Sequence, residues 1–124
     1  MDNRGPKSVY GVGEEPDPRF SMANERTTLA WLRTAMALVG GAIALLSLTA
    51  ALPELPRWAP AIAGISCLGG AALAVRAVRR WAQVERAMRQ RQPLPAPRAL
   101  VWLASGIGAL AILVLALVVV ELAR

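Results

Sequence analysis

The stretch "DPRFSMANERTTLAWLRTAM", residues 17–36, decides the fold because it joins a charged segment to an apolar one without a break. Asp17 before Pro18 is a favourable helix start, since aspartate can cap the first turn and proline needs no N–H donor at its first position. Neither glycine nor proline follows before residue 40. The sequence therefore predicts one helix, from residue 17 to residue 52, that enters an apolar environment near Arg33.

Three uncharged windows occur in the chain, at residues 34–52, 58–75 and 99–120. A helix needs ~20 residues to cross a bilayer, and each window is close to that length. We predict an all-α polytopic membrane protein with three transmembrane helices, in a domain of residues 17–124 with spans near 29–52, 58–76 and 99–120. The preceding segment, residues 1–16, mixes glycine, proline and charges and is predicted to be a flexible N-terminal tail.

The arginines and lysines predict the orientation. Four lie in residues 1–28 and seven in residues 76–98, whereas the 53–57 connection and the C-terminus carry one each. Basic segments next to spans stay in the cytoplasm, so we expect a cytoplasmic N-terminus and an outward C-terminus in the inner (plasma) membrane. The second helix meets no proline between residues 61 and 92, so we expect it to run from about residue 58 to residue 92 and to extend into the cytoplasm.

The basic residues of that extension are predicted to contact lipid head groups, because anionic lipids attract basic side chains beside an apolar span. Docking of a cytoplasmic partner is the alternative. Since lipid accounts for the net charge of +6, we expect no nucleic-acid partner. The predicted lipid contacts are Arg76, Arg79, Arg80, Arg86 and Arg89.

Small residues predict where the helices pack. Steps of four and three residues from Arg26 pass through Arg33 and then only small side chains, and such seams let membrane helices approach closely. Eleven of the 19 residues in the first window are small, so chance is an alternative explanation. The packing seam comprises Ala37, Gly40, Ala44, Ser47 and Ala51 on the first helix and Ala63, Cys67, Gly70 and Ala74 on the second.

The chemistry of the side chains argues against an enzyme. The chain has no histidine and one cysteine, Cys67, which we expect to serve packing. The commonest general base and the usual metal ligands are therefore missing, and we predict no metal and no cofactor. A proton-coupled exporter would want a carboxylate within a span, and the three windows contain none.

Residues 17–36 resemble the signature of the YidH-like small inner-membrane proteins, a three-span family of unknown function. They are also similar to the transmembrane domain of the vacuolar transporter chaperone complex, which makes and translocates polyphosphate. That resemblance implies that first helices of several subunits surround a path faced by basic residues. It implies candidate contacts to an inorganic anion or polyphosphate at Arg26 and Arg33, with Asn24 and Glu25 shaping the mouth. This chain lacks the polymerase domain of that complex.

Two hypotheses follow. In the first, the chain is a homo-oligomeric or hetero-oligomeric pore subunit with an arginine-lined cytoplasmic mouth. In the second, it is a non-conducting scaffold that binds another membrane protein through its small-residue seams and its basic helix. Arg33 has a simpler explanation as well, since its long side chain can reach the interface from the end of a span.

Overall fold

A computed structural model describes residues 3–123 of the chain, without the side chain of residue 99. Within them lie four helices and no strand: α1 (Lys7–Tyr10), α2 (Pro18–Ala51), α3 (Ala59–Arg89) and α4 (Arg98–Leu122). The last three are long and apolar enough to cross a membrane. The predicted all-α fold with three candidate spans is confirmed.

Helix α2 begins and ends where the sequence chemistry dictates. The carboxylate of Asp17 accepts a hydrogen bond from the backbone N–H of Arg19 at 2.9 Å, which satisfies one of the free donors of the first turn. The helix ends at Ala51 because Leu52 precedes a proline and takes an extended backbone conformation. Its 34 residues correspond to roughly 50 Å of helix.

Helix α3 is almost as long and ends three residues before the predicted position. Arg91 has a positive φ of 54°, and the N–H of Gln92 donates to the carbonyl of Ala87 at 2.9 Å. This left-handed cap turns the chain out of the helix and satisfies one of its last carbonyls. Residues 18–33 of α2 and 76–89 of α3 lie outside the uncharged windows and run side by side. We call them the charged end of the α2–α3 hairpin.

Small residues hold the rest of the hairpin together. Ala35 and Ala42 of α2 and Ala63 of α3 are buried. A Cβ atom built on Gly70 would lie 2.8 Å from the carbonyl oxygen of Ala35 and 2.8 Å from Cγ2 of Val39. The two backbones therefore approach as closely as the absence of a side chain at position 70 allows, which is how membrane helices maximise dispersion contacts.

Helix α4 packs much less closely than the other two spans. None of the described side chains in its most apolar window is buried, and Trp102 is 74% exposed. A long contact of 3.4 Å between Nη1 of Arg80 and the carbonyl oxygen of Ala96 connects the preceding segment to α3. The third span is thus tethered at the charged end and leaves most of its surface uncovered.

The N-terminal segment, predicted to be a flexible tail, packs on α3 within the described residues. Val9 is 1% exposed, and the N–H of Glu14 donates to the carbonyl of Arg89 at 3.0 Å. Gly13 has a positive φ of 64°, and a Cβ there would collide with that same Arg89 carbonyl. Only glycine fits the turn, so the backbone can reach the end of α3.

Candidate functional site

The predicted mouth residues fall on different sides of α2. Asn24 is buried and faces α3, whereas Glu25, Arg26 and Arg33 are exposed. Asn24 therefore does not join the two arginines in one group. Its amide is engaged inside the hairpin, and its predicted role in shaping the mouth stays a prediction.

The seam predicted from Arg26 lies on the face of α2 opposite to α3. The row that faces α3 contains positions 21, 24, 28, 31, 35, 38, 42, 45 and 49, all buried or half-buried. Each seam position is two residues further on, which is about 200° round a helix. Every one of them is exposed, namely Arg26, Ala30, Arg33, Ala37, Gly40, Ala44, Ser47 and Ala51.

The two arginines of this outer face carry charge that the chain leaves available. Among residues 3–123, no carboxylate forms an ion pair with Arg26 or Arg33. Arg33 is the last charged residue before the apolar window, and Arg26 lies seven residues, or ~10.5 Å, further from it. Two guanidinium groups on one helix face can attract an anion, but a single copy encloses no path around them.

On the inner face, Glu85 is the centre of a buried polar cluster. Its side chain is 3% exposed. The hydroxyl of Ser21 donates to Oε1 of Glu85 at 2.8 Å, and Nδ2 of Asn24 lies 3.5 Å from Oε2. The same Nδ2 donates to the carbonyl of Trp81 at 3.1 Å. These contacts link the first turns of α2 to the last turns of α3.

Arg89 extends the cluster toward the N-terminal segment. Its side chain is 4% exposed, and its Nε lies 3.8 Å from Oε1 of Glu85 without a hydrogen-bond partner among the described atoms. Glu15 contributes a second ion pair at 3.8 Å, and the guanidinium sits 4.8 Å from the ring centre of Tyr10. The prediction that Arg89 contacts lipid head groups is corrected here, because its charge is covered by protein.

Aromatic rings close the cluster on its outer side. The rings of Tyr10 and Trp81 are 6.3 Å apart and tilted by 56°, a favourable edge-type geometry. Arg4 stacks on the same tyrosine at 4.9 Å and pairs with Glu15. The cluster connects three segments, namely the N-terminal segment, α2 and α3, and we call it the lock. Among the described residues no group of three or more His, Cys, Asp or Glu side chains could hold a metal.

Sequence reasoning did not assign Glu85 a role in a site, although a signal was present. It is the only carboxylate among seven arginines in residues 76–98, and Asn24 is a short polar side chain on a helix of the same hairpin. To predict their contact, one must know which faces of the two helices meet and in which register, and the sequence pattern does not determine either. The hairpin contact supplies both.

Two of the seam residues predicted on α3 pack against α2 within the hairpin. Ala63 and Gly70 lie in the α2–α3 contact, and Ala74 is half-buried. Cys67 is exposed in the single chain, so the expectation that it serves packing stays a prediction for contacts with another chain. Of the other predicted lipid contacts, Arg76, Arg79 and Arg86 are exposed and Arg80 is half-buried.

Comparison with known proteins adds the following. A family model described as a domain of unknown function (DUF202) matches residues 19–87. The uncharacterized protein Rv2272 of Mycobacterium tuberculosis (strain ATCC 25618 / H37Rv) is 42% identical over 114 residues, covering 86% of this chain and 87% of the relative. The inner membrane protein YidH of Escherichia coli (strain K12) is 36% identical over 110 residues, covering 89% and 95%. No solved structure matches the chain.

Proposed function

Since the chain belongs to the DUF202 family and is homologous to the inner membrane protein YidH, a resemblance that residues 17–36 predicted, we propose that it acts as an oligomeric inner-membrane protein that interacts with anions. The α2 helices of several copies meet through their small outer faces. Arg26 and Arg33 of each copy then ring a mouth on the cytoplasmic side. Inorganic phosphate and polyphosphate are the anions we favour, and the protein is not an enzyme.

One observation carries this proposal: the face of α2 that bears Arg26, Arg33 and the small seam is the face that α3 leaves uncovered. A row of exposed alanines, glycine and serine allows close approach of a second helix in lipid. A charged side chain near the bilayer is costly unless it meets a counter-charge or water. Bringing several Arg33 side chains together therefore favours a hydrated mouth that attracts anions.

The contact between copies is tested at Gly40. A Cβ there meets nothing within 4 Å, so Gly40→Leu leaves the packing of the single chain intact while blocking close approach of another helix. Gly64 of α3 is equally open and off the seam, which makes Gly64→Leu the matched control. We expect chemical crosslinking in native membranes to show oligomers for wild type and Gly64→Leu and monomers for Gly40→Leu. Equal crosslinking of all three proteins would overturn the proposal that copies meet through the seam of α2.

The anion function is tested by potential-driven flux of phosphate and short polyphosphate in liposomes. Arg33→Ala should reduce flux several-fold at matched reconstitution, because it removes one charge per copy from the mouth. Arg86→Ala is the control, since this exposed arginine also lies at the charged end but is on α3. Flux that falls equally in both variants would point to general surface charge.

The scaffold hypothesis remains the second candidate because of α4. Its apolar window has no buried side chain among those described, so it offers a large surface to another membrane protein. Absence of flux from wild-type protein that crosslinks as an oligomer would favour this function. Under it, Arg33→Ala would leave assembly unchanged and substitutions on α4 would release the partner.

A further inference from the structure

A groove runs along the side of α3 that is turned away from α2. Its volume is about 740 Å³, within the range of roughly 300–1,000 Å³ that is usual for sites binding small molecules. Positions 72, 75 and 79 in this groove follow positions 70, 73 and 77 of the α2 contact by two residues each, or about 200°. The groove is therefore separate from the seam of α2 and from the buried cluster.

The groove changes polarity along its length. One half is apolar, formed by Leu68, Ala72 and Val75, of which Leu68 is 73% and Val75 is 52% exposed. The other half is basic and begins at the very next residue, with Arg76, Arg79 and Arg80. No carboxylate belongs to its described lining.

Helix α4 stands beside this groove without filling it. A second crevice shares Ala72 and Arg76 with the groove and has Trp102 and Leu103 of α4 on its other side. The carbonyl of Ala96 contacts Nη1 of Arg80 and holds that arginine at the basic half. Among the described residues, α3 alone lines the groove, and α4 borders the adjoining crevice.

We propose that this groove binds an anionic phospholipid, with its phosphate on Arg76, Arg79 and Arg80 and an acyl chain along Leu68, Ala72 and Val75. Basic pockets between membrane helices favour anionic head groups. The change from apolar to basic falls at residue 76, the first residue beyond the apolar window, so a lipid in its ordinary orientation presents each part at the matching depth. From residue 68 to residue 79 the groove is ~16 Å long, enough to guide an acyl chain.

A bound lipid also accounts for the loose packing of α4. Lipid tails are as apolar as leucine side chains, so a chain lying between α3 and α4 replaces direct helix contacts. A free phosphate would use only the basic half and leave the exposed leucine and valine unexplained. The lipid is therefore the occupant that matches the whole groove.

The test is native mass spectrometry of the purified protein in detergent with equal amounts of phosphatidylglycerol and phosphatidylcholine. We expect wild type to retain phosphatidylglycerol preferentially and the double variant Arg76→Ala/Arg79→Ala to bind it roughly tenfold more weakly, because each arginine attracts anionic lipid. Arg86→Ala keeps the same helix and net-charge change per site but does not line the groove, so it should bind as wild type does.

Ala72→Phe tests the apolar half, since a ring at this exposed position occupies the groove without altering charge. It should also reduce retention of phosphatidylglycerol, while circular dichroism confirms the helical content of every variant. Glycerol phosphate added in excess should not displace the lipid. Equal loss in Arg86→Ala, equal retention of phosphatidylcholine, or displacement by glycerol phosphate would each overturn the proposal. Unchanged binding in Ala72→Phe would do the same.

Discussion

The two halves of the α2–α3 hairpin are held together by opposite means. In the apolar half, Gly70 lets the helices touch through backbone and small side chains, with no polar contact between them in the described structure. At the charged end, Glu85 and Arg89 are buried among hydrogen bonds and aromatic rings. The surroundings of the two halves explain this difference. Lipid gives no hydrophobic driving force between helices, so the apolar half depends on close packing. At the charged end, a buried ion pair needs hydrogen-bond partners to replace water.

The largest effect should come from Glu85→Ala. Ser21 and Asn24 lose an acceptor, and Arg89 loses one of its two carboxylate partners while it remains buried. Removing one partner from a buried ion pair costs about 3–5 kcal/mol. The free energy of unfolding, measured by titrating dodecyl sulfate into detergent micelles, should fall by that order. Glu25→Ala, which removes an exposed carboxylate at the same end of the hairpin, should alter it little. A loss of under 1 kcal/mol for Glu85→Ala would contradict a lock at this end.

Alanine substitutions at two glycines of the apolar half should change the free energy of unfolding in opposite directions. Gly70→Ala forces its new methyl group onto the Ala35 carbonyl, and overpacking of this kind costs about 1–3 kcal/mol. Gly64→Ala meets open space and should stabilise the helix by about 0.5–1 kcal/mol, since alanine is the better helix former. The same titration measures both. Equal effects of the two substitutions would mean that the close contact at position 70 does not affect the free energy of unfolding.

A smaller and local effect is expected from Val9→Ala. Removing two methyl groups from a side chain that is 1% exposed weakens the docking of the N-terminal segment by about 1–2 kcal/mol. Hydrogen exchange of residues 7–14 should become faster while exchange in the centre of α2 stays unchanged. Ser8→Ala, at an exposed neighbouring position, serves as control. Unchanged exchange after Val9→Ala would show that burial of this valine does not hold the segment.

The smallest effect belongs to the exposed pair of Glu14 and Arg91, which lie 2.7 Å apart with side chains 76% and 82% exposed. Glu14→Gln should change stability by only about 0–1 kcal/mol, because solvent and salt screen such pairs. The change should vanish at high salt, whereas the effect of Glu85→Ala should persist. A strong effect of Glu14→Gln would mean that this exposed ion pair also stabilises the charged end of the hairpin.

Much of this fold was predictable from the sequence, because bilayer thickness fixes the length of each span and the turn residues fix the ends of α2. The faces of the helices were less predictable. In the first window 11 of 19 residues are small, so several seams satisfy the same packing rule. The row through Ala35 and Ala42 faces α3, and the row through Arg26 and Gly40 does not.

The buried cluster was missed for a related reason. Arginines next to a span suggest lipid, and Arg86 and Arg89 differ only by their position on the helix. Burial of Arg89 depends on Tyr10 and Glu15, which come from a segment whose composition suggests no structure. A short helix that owes its order to the surface beneath it leaves no periodic pattern in the sequence.

The distance along the chain between the partners of the lock has a consequence for biogenesis. Asn24 and Glu85 are separated by 61 residues, so the ribosome releases the first span well before the carboxylate that completes the cluster. Because Ser21 and Asn24 precede the apolar window, water can solvate them while they wait. We therefore expect α2 to insert into the membrane without α3, and the polar contacts of the hairpin to form afterwards.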